Sequence, residues 1–349
     1  MQHIIPSITD LSTSPWAARL QHKLDNKTKP KGSLGRLETL AIQIGCVLGT
    51  DTPELHSPQL VVFAGDHGLA QHGVSAYPSD VTWQMVSNFL RGGAAVSVLA
   101  KQYGIQLHVA DCGVNHVFES AEGLLNYKIA MGTADVLQGP AMHPEQCQRA
   151  LQNGQHIVNH LQGNALLLGE MGIGNTSAAS LIMARLTQTP IEQCTGAGTG
   201  LDCAGIERKQ TILAQALTAN PNAHSPLDVL AAFGGFEIAT MVGAVLQAAA
   251  SNRIIVVDGF IATAVILVAA ALQPLVLQRC IFAHRSGEQG HTRMLNALGA
   301  QPVLDLQLRL GEGSGAALAW PLLQSACAIV RNMASFESAG VSRNADSPQ

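Results

Sequence analysis

Charge is scarce in this chain. Lys, Arg, Asp and Glu make up 13% of the 349 residues, about half the share of an average soluble protein. The signs nearly balance, 20 basic against 24 acidic, for a formal charge of −4. The broad basic footprint of a nucleic-acid binder is therefore missing. Aromatic residues are only 4%, too few for a platform of base-stacking rings. The seven cysteines (Cys46, Cys112, Cys147, Cys194, Cys203, Cys280 and Cys327) are odd in number, and none has a C-x-x-C partner. That argues against a disulfide framework or a zinc knuckle and for reduced thiols in a cytoplasmic protein. Met1-Gln2-His3-Ile4-Ile5-Pro6 lacks a basic segment followed by an apolar one, so no signal peptide is read there. The longest uncharged apolar run, Phe260 to Leu272, has thirteen residues, short of the roughly 20 that span a bilayer. It reads as a buried core helix, with no membrane partner expected.

What is abundant is apolar side chain, 47% of residues, together with 34 glycines. Disorder needs the opposite composition, low hydrophobicity with high net charge. A large core is expected. So little charge also leaves surface for a second copy to cover, and a homo-oligomer is expected.

Short apolar runs alternate with longer Ala/Leu-rich segments. Strands are expected at Leu60–Phe63, Leu107–Ala110, Ala165–Leu168, Val229–Phe233, Ile254–Val257 and Cys280–Ala283, with Val303–Leu306 as a weaker candidate. Several are almost wholly apolar, as strands covered on both faces of a parallel sheet must be. Helices are expected at about Pro144–Gln162, Thr176–Leu186, Ile206–Ala219, Glu237–Ala250 and Ile261–Leu272. The alternation predicts a doubly wound, mainly parallel α/β sheet flanked by helices. The ends of the chain differ. Ser14–Asn26 and Arg36–Leu48 read as helices separated by a Lys-Pro-Lys-Gly break, and Ala316 to about Phe336 reads as another. Residues 1–55 and 316–349 are therefore expected to form a small helical domain, and 56–315 a large α/β domain. The tail from Val341 is polar and expected to fray.

Parallel sheets bind ligands beyond the carboxyl ends of their strands, so the loops after the strands are where chemistry is sought. In Ala165-Leu-Leu-Leu-Gly-Glu170-Met-Gly-Ile-Gly174-Asn175-Thr176 a buried strand enters a glycine loop and then a helix. Free N–H groups at that helix start suit a phosphate monoester. A tight turn capped by Asn175 or Thr176 is the alternative. No Lys follows the glycines, so this is not a Walker A loop. Gly196-Ala-Gly198-Thr199-Gly200 has Leu201 where the dinucleotide fingerprint needs glycine, which disfavours a nicotinamide cofactor. Lys209 follows and could neutralise a phosphate or simply be a solvated helix charge.

Asp66 and His67, in Ala64-Gly65-Asp66-His67-Gly68, lack further ligands in the sequence, so no metal site is expected. His156 and His160 lack the Glu of H-E-x-x-H and read as one helix face. Asp258 places a single carboxylate at a strand tip, suited to a ribose hydroxyl. His284-Arg-Ser286-Gly-Glu288-Gln-Gly290-His291 is a polar loop after a strand. Glu312 sits between Gly311 and Gly313, just before an apolar helix. Burial there would raise its pKa toward neutrality, as a general base needs. The alternative is an acidic residue that complements a helix dipole.

Six segments in register then point one way. They are Lys29-Pro30-Lys31-Gly32-Ser33-Leu34-Gly35-Arg36-Leu37-Glu38, Ala64–Gly68, His72-Gly73-Val74-Ser75-Ala76-Tyr77-Pro78, Gly169–Thr176, Gly198-Thr199-Gly200-x-Asp202 and Arg309–Gly313. Together they resemble the nicotinate-nucleotide–dimethylbenzimidazole phosphoribosyltransferases. Departures are small: Lys31 in place of Pro, Ser314 in place of Thr, and Ser-Gly-Glu-Gln-Gly-His at 286–291 in place of Ser-Ala-Glu-Pro-Gly-His. The resemblance implies a parallel α/β fold with a small helical domain, typically in a homodimer. It implies transfer of phosphoribose from nicotinate mononucleotide to 5,6-dimethylbenzimidazole with inversion at the anomeric carbon. It implies Glu312 as base with Glu170 in support, and a phosphate site at Gly174, Asn175 and Lys209. It also implies a base pocket of Ser75, Gln84, Met85, Met171 and Leu310, with Asp258, Ser286 and Glu288 near ribose or nicotinate. No cofactor or metal is implied, because a pyridinium leaves as a neutral ring. The alternatives are a pyrophosphate-dependent phosphoribosyltransferase, which would carry two adjacent acids where only Asp258 stands, and a non-catalytic sensor of a nucleotide or benzimidazole.

Overall fold

The computed structural model describes residues 5–198 and 200–342. The expectations for residues 1–4, for Thr199 and for the tail beyond 342 lie outside the described residues. Six strands form one sheet: β1 (Gln59–Gly65), β2 (Gln106–Gly113), β3 (Leu124–Asn126), β4 (Ala165–Met171), β5 (Ile254–Val257) and β6 (Cys280–Phe282). Their order is β3-β2-β1-β4-β5-β6, and every neighbouring pair is parallel. Strand order reverses between β1 and β4, which opens a crevice beyond their carboxyl ends.

Helices carry the chain between strands. α1 (Pro15–Asp25) and α2 (Arg36–Leu48) precede the sheet, and α3 (Asp80–Leu90) and α4 (Ala95–Tyr103) link β1 to β2. α5 (Pro144–His160) leads into β4. Five helices separate β4 from β5: α6 (Asn175–Thr187), α7 (Ile191–Cys194), α8 (Cys203–Ala219), α9 (Pro226–Phe233) and α10 (Phe236–Ala250). α11 (Phe260–Leu272) links β5 to β6, and α12 (His291–Ala297), α13 (Ser314–Asn332) and α14 (Phe336–Ala339) complete the chain.

The two-residue period of a strand divides the core. Val61 and Phe63 of β1, Leu166 and Leu168 of β4, and Ile255 and Val257 of β5 face a cluster built with α5, α6 and α9 to α11. Leu60 and Val62 of β1, Ala165 and Leu167 of β4, and Ile254 and Val256 of β5 face the other way, toward α1 to α4 and α13. Strands covered on both sides carry no polar face, and all seven residues of β1 are buried. On the second face Leu20 and Leu24 of α1, Leu40 and Ile44 of α2, and Trp320 and Leu323 of α13 share one cluster with the sheet. The terminal helices thus pack on one another and on the strands.

Two local expectations need correction. Val229–Phe233 is not a strand but the end of α9. A five-residue apolar run does not distinguish a buried strand from a buried helix. Its N-terminal side decides: Ser225 and Asp228 form a reciprocal capping box, with Pro226 in the first turn. Val303–Leu306 makes only one bridge, between Leu304 and His284. The edge strand β3 and helices α3, α4 and α12 had no counterpart in the sequence reading. Phe260–Leu272 is the expected core helix, buried from Phe260 to Ala269. Among the described residues no helix is long and apolar enough to cross a membrane.

α10 is central to the larger core, with thirteen of its fifteen residues buried, as a helix apolar all round must be. It crosses α5 with two glycines in the contact. A Cβ on Gly154 would lie 1.9 Å from Thr240 O, and one on Gly243 would lie 2.0 Å from Leu151 O. Neither backbone can yield cheaply. Gly154→Ala and Gly243→Ala are each expected to destabilise the fold by at least about 1–3 kcal/mol, the usual range for overpacking. Thermal melts check this; unchanged midpoints would show that the helices separate freely.

Candidate active site

The site is built at the reversal between β1 and β4, with β5 and the loop before α13 closing it. β4 delivers Glu170 at its carboxyl end, and the chain then turns through Gly174, whose φ of +97° is left-handed, into α6 at Asn175. β5 delivers Asp258, the residue just after its last. Between α12 and α13 three successive residues, Gly311, Glu312 and Gly313, adopt positive φ (80°, 65° and 89°). For Glu312 that conformation is uphill.

Two carboxylates hold the strained loop. Glu312 N–H donates to Glu170 Oε1 at 3.2 Å. Gly313 N–H donates to Asp258 Oδ2 at 3.2 Å and Ala316 N–H to Asp258 Oδ1 at 3.0 Å. Ser314 Oγ closes the turn on Gly311 O at 2.7 Å. Asn175 Nδ2 donates to the second oxygen of Glu170, so one side chain ties the glycine loop of β4 to the loop of Glu312. Glycine is required at 311, because a Cβ there would lie 2.2 Å from Glu170 Oε1.

These groups surround a cavity of about 500 Å³. Tyr77, Val81, Met85, Met171 and Leu310 form an apolar wall, and Tyr77 and Leu310 are 55% exposed at its rim. Asn175, Thr176 and Gly198 form a polar end. Asp258, His284, Ser286 and Glu288 line another side, and Glu170 and Glu312 are buried in the wall between. Lys209 of α8 stands behind the polar end, buried, with Nζ donating to Thr176 Oγ1 at 2.9 Å. Burial pulls its pKa down to about 8, against the opposing charge of Glu288. Burial, and then the charge of Asp258, push Glu170 up to about 8 and Glu312 up to about 7.

Of the residues expected from the sequence, Glu170, Glu312, Asn175, Met85, Met171, Leu310, Asp258, Ser286 and Glu288 all line this cavity. Gly174 turns the backbone beneath it, and Lys209 reaches it through Thr176. Ser75 and Gln84 are not in its wall. Ser75 Oγ accepts from Tyr77 N–H at 3.2 Å, and Gln84 lies on the exposed side of α3. The sequence reading missed Tyr77, Thr176, Phe260, His284 and Arg309 as cavity residues. Tyr77, His284 and Arg309 stand inside segments already singled out, so proximity to those motifs was the available signal.

Asp66 and His67 lie beneath the glycine loop. Among the described residues no group of three or more His, Cys, Asp or Glu could hold a metal ion. His67 Nε2 pairs instead with the fully buried Glu237 at 2.6 Å, and Asp66 Oδ2 accepts from Asn115 N–H at 2.8 Å. Burial opposes protonation of His67, yet the carboxylates of Glu237, Asp66 and Glu170 outweigh it and hold its pKa above the usual value.

The raised pKa of Glu312 has a cost in stability. A carboxyl whose folded pKa exceeds its unfolded one binds more protons when folded, so stability falls as pH rises from about 4.5 through about 7. Glu312→Gln removes that penalty. At pH 8 the variant is expected to be more stable than wild type by about 1–3 kcal/mol, allowing for partial solvent screening. The gain should fade toward pH 4.5. Chemical denaturation at pH 8 and pH 5 checks it; an equal difference at both would remove the buried charge as the cause.

Known proteins give the same picture. A family model described as phosphoribosyltransferase, DBI_PRT, matches residues 10–341. The nicotinate-nucleotide–dimethylbenzimidazole phosphoribosyltransferase of Variovorax paradoxus (strain S110) is 64% identical over 339 residues, covering 97% of each chain. The protein of that name from Dechloromonas aromatica (strain RCB) is 56% identical, over 93% of this chain and 94% of its own. The crystal structure of CobT from Thermus thermophilus superposes with a TM-score of 0.90 at 42% identity, covering 94% of this chain and 99% of that one. The chain belongs to the nicotinate-nucleotide–dimethylbenzimidazole phosphoribosyltransferase family.

Proposed function

We propose that the cavity binds nicotinate mononucleotide and 5,6-dimethylbenzimidazole together and transfers the 5-phosphoribosyl group between them. The carrying observation is Glu312: a carboxyl with a pKa near 7, fixed in the cavity wall by the hydrogen bond of its own backbone to Glu170. One benzimidazole nitrogen attacks the anomeric carbon while the bond from that carbon to the pyridinium nitrogen breaks. The bonding pair returns to the departing ring, which leaves as neutral-ring nicotinate. The proton on the other benzimidazole nitrogen passes to the Glu312 carboxylate. Attack opposite the leaving group inverts the anomeric centre and gives α-ribazole 5′-phosphate.

The cavity suits two unlike substrates. Its apolar wall of Met85, Met171 and Leu310 matches a flat, weakly polar base. Its other end offers the start of α6, Asn175, and Thr176 backed by Lys209, which suits a dianionic phosphate. Glu170 acts by position, because both its oxygens accept hydrogen bonds from the two loops that frame the cavity. A pyridinium that departs neutral needs no metal to stabilise a leaving anion, so the reaction is expected to run in the presence of a chelator. The scarcity of charge supports a homodimer. Seven free thiols, five of them buried, support a reducing, cytoplasmic setting.

Turnover of the two substrates, with nicotinate and α-ribazole phosphate separated by chromatography, tests the reading. Wild-type kcat/KM should rise with pH through about 7 as Glu312 loses its proton. Glu312→Gln should lose at least about 10²-fold, within the range of general-base catalysis, and lose that limb as well. Comparable rates from both proteins would remove Glu312 as the base. Lys209→Met should raise KM for the nucleotide at least about tenfold, because the charge behind Thr176 is gone; an unchanged KM would place the phosphate elsewhere.

A further inference from the structure

Two histidines, His284 in the loop after β6 and His291 at the start of α12, are left unused by this chemistry, and they are held very differently. His291 is a fixed strut. Its Nδ1 accepts from Ser286 N–H at 2.8 Å, so that nitrogen carries no proton. Its Nε2 lies 2.9 Å from Thr263 Oγ1, whose own hydrogen goes to Gly259 O at 2.7 Å. The network therefore assigns the neutral Nε2–H tautomer. Burial, with His284 nearby, lowers the His291 pKa to about 3.

His284 has no such anchorage. It is buried and lines the cavity, and among the described residues neither ring nitrogen has a hydrogen-bond partner in good geometry. Its Nε2 lies 3.6 Å from Asp258 Oδ1. The first turn of α13 presses the two together: a Cβ on Gly315 would lie 2.0 Å from His284 Cδ2 and 2.8 Å from Asp258 Oδ1. Asp258 is itself anchored, because its two oxygens accept from Gly313 and Ala316 at the N-terminus of α13. The helix start thus faces the carboxylate with two N–H donors. That anion repels the carboxylates of both Glu170 and Glu312.

We propose that His284 is a positioning residue which, acting through Asp258, sets whether Glu312 is free to take a proton. The inference rests on Glu312 as the base. Protonated His284 offsets the charge of Asp258, and Glu312 then ionises more readily. Neutral or absent, it leaves Asp258 uncompensated, and Glu312 keeps its proton to higher pH. The groups that face His284 are Asp258 from β5, His291 from α12, and Arg285 and Asp305 from the flanking loops. Burial opposes its protonation, but the Asp258 carboxylate outweighs burial and raises its pKa, with Asp305 adding to the effect. Arg285 is drawn off by Asp305, at 3.5 Å on the surface. Glu312 faces Asp258 and Glu170.

The test is the pH profile of kcat/KM for the full chain as wild type, His284→Gln and Glu312→Gln, with nicotinate mononucleotide and dimethylbenzimidazole. In His284→Gln the acidic limb is expected to move up by about one pH unit, which is about tenfold in rate one unit below the wild-type midpoint. An unmoved limb would overturn the proposal at any plateau, and with a lower plateau it would mean a merely structural role. Full activity with an intact limb in Glu312→Gln would instead overturn the base assignment. If His284→Gln does not fold, the imidazole of His284 is titrated by NMR in wild type and in Glu312→Gln. Coupling requires its midpoint to fall when the Glu312 charge is removed; an unchanged midpoint overturns the proposal.

Discussion

Two carboxylates, at the ends of β4 and β5, hold one loop, and the site depends on that grip. Glu170 and Asp258 accept three backbone N–H groups from residues 312 to 316. The two hydrogen bonds to the Asp258 carboxylate contribute about 1.5–3 kcal/mol each, and the one to Glu170, held largely neutral by burial, about 0.5–1.5 kcal/mol. The left-handed backbone of Glu312 costs about 1–2 kcal/mol. The grip therefore wins, and Glu312 is held in a backbone that an isolated peptide populates only as a minor state. The arrangement also brings Asp258, Glu170 and Glu312 together on one side of the cavity, with the buried His284 beside Asp258. That crowding, added to burial, carries the Glu312 pKa up toward neutrality.

A base near neutrality is useful only if its partner atoms arrive in line. The sheet supplies the placement. The strands end on the same side because they are parallel, and their order reverses between β1 and β4. Side chains from β4, β5 and the loop before α13 then converge without a long insertion. The floor is rigid, since the glycine loop after β4 rests on His67, which is itself paired with Glu237 at the start of α10. A Cβ on Gly174 would approach His67 Cβ at 3.4 Å. General-base help accounts for about 10²–10⁴ in rate, so positioning of this kind must contribute much of the remainder.

Much of this was legible in the residues. Near-continuous apolar runs announced strands covered on both faces, and those of β1, β4 and β5 proved so. Glycines flanking Glu170 and Glu312 announced loops in which a carboxylate meets backbone. Where the reading failed, local signals competed. Val229–Phe233 looked like a strand until the capping box at Ser225 and Asp228 is weighed. The edge strand β3 has three residues, too few to show a period.

The sequence by itself determined the alternation of strands and helices, the positions of the chemical loops, and the acids they carry. It could not say which acid would be clamp and which would be base. That follows from what each oxygen touches and how deeply it is buried. Glu170 meets Glu312 across 142 positions in the chain, and Asp258 meets Gly313 across 55. His284 was legible only as one polar residue among several in its loop. Its place against Asp258 is decided by the packing of α13 on the sheet. A carboxylate's role is set by its neighbours in space, and only the folded chain brings those neighbours together.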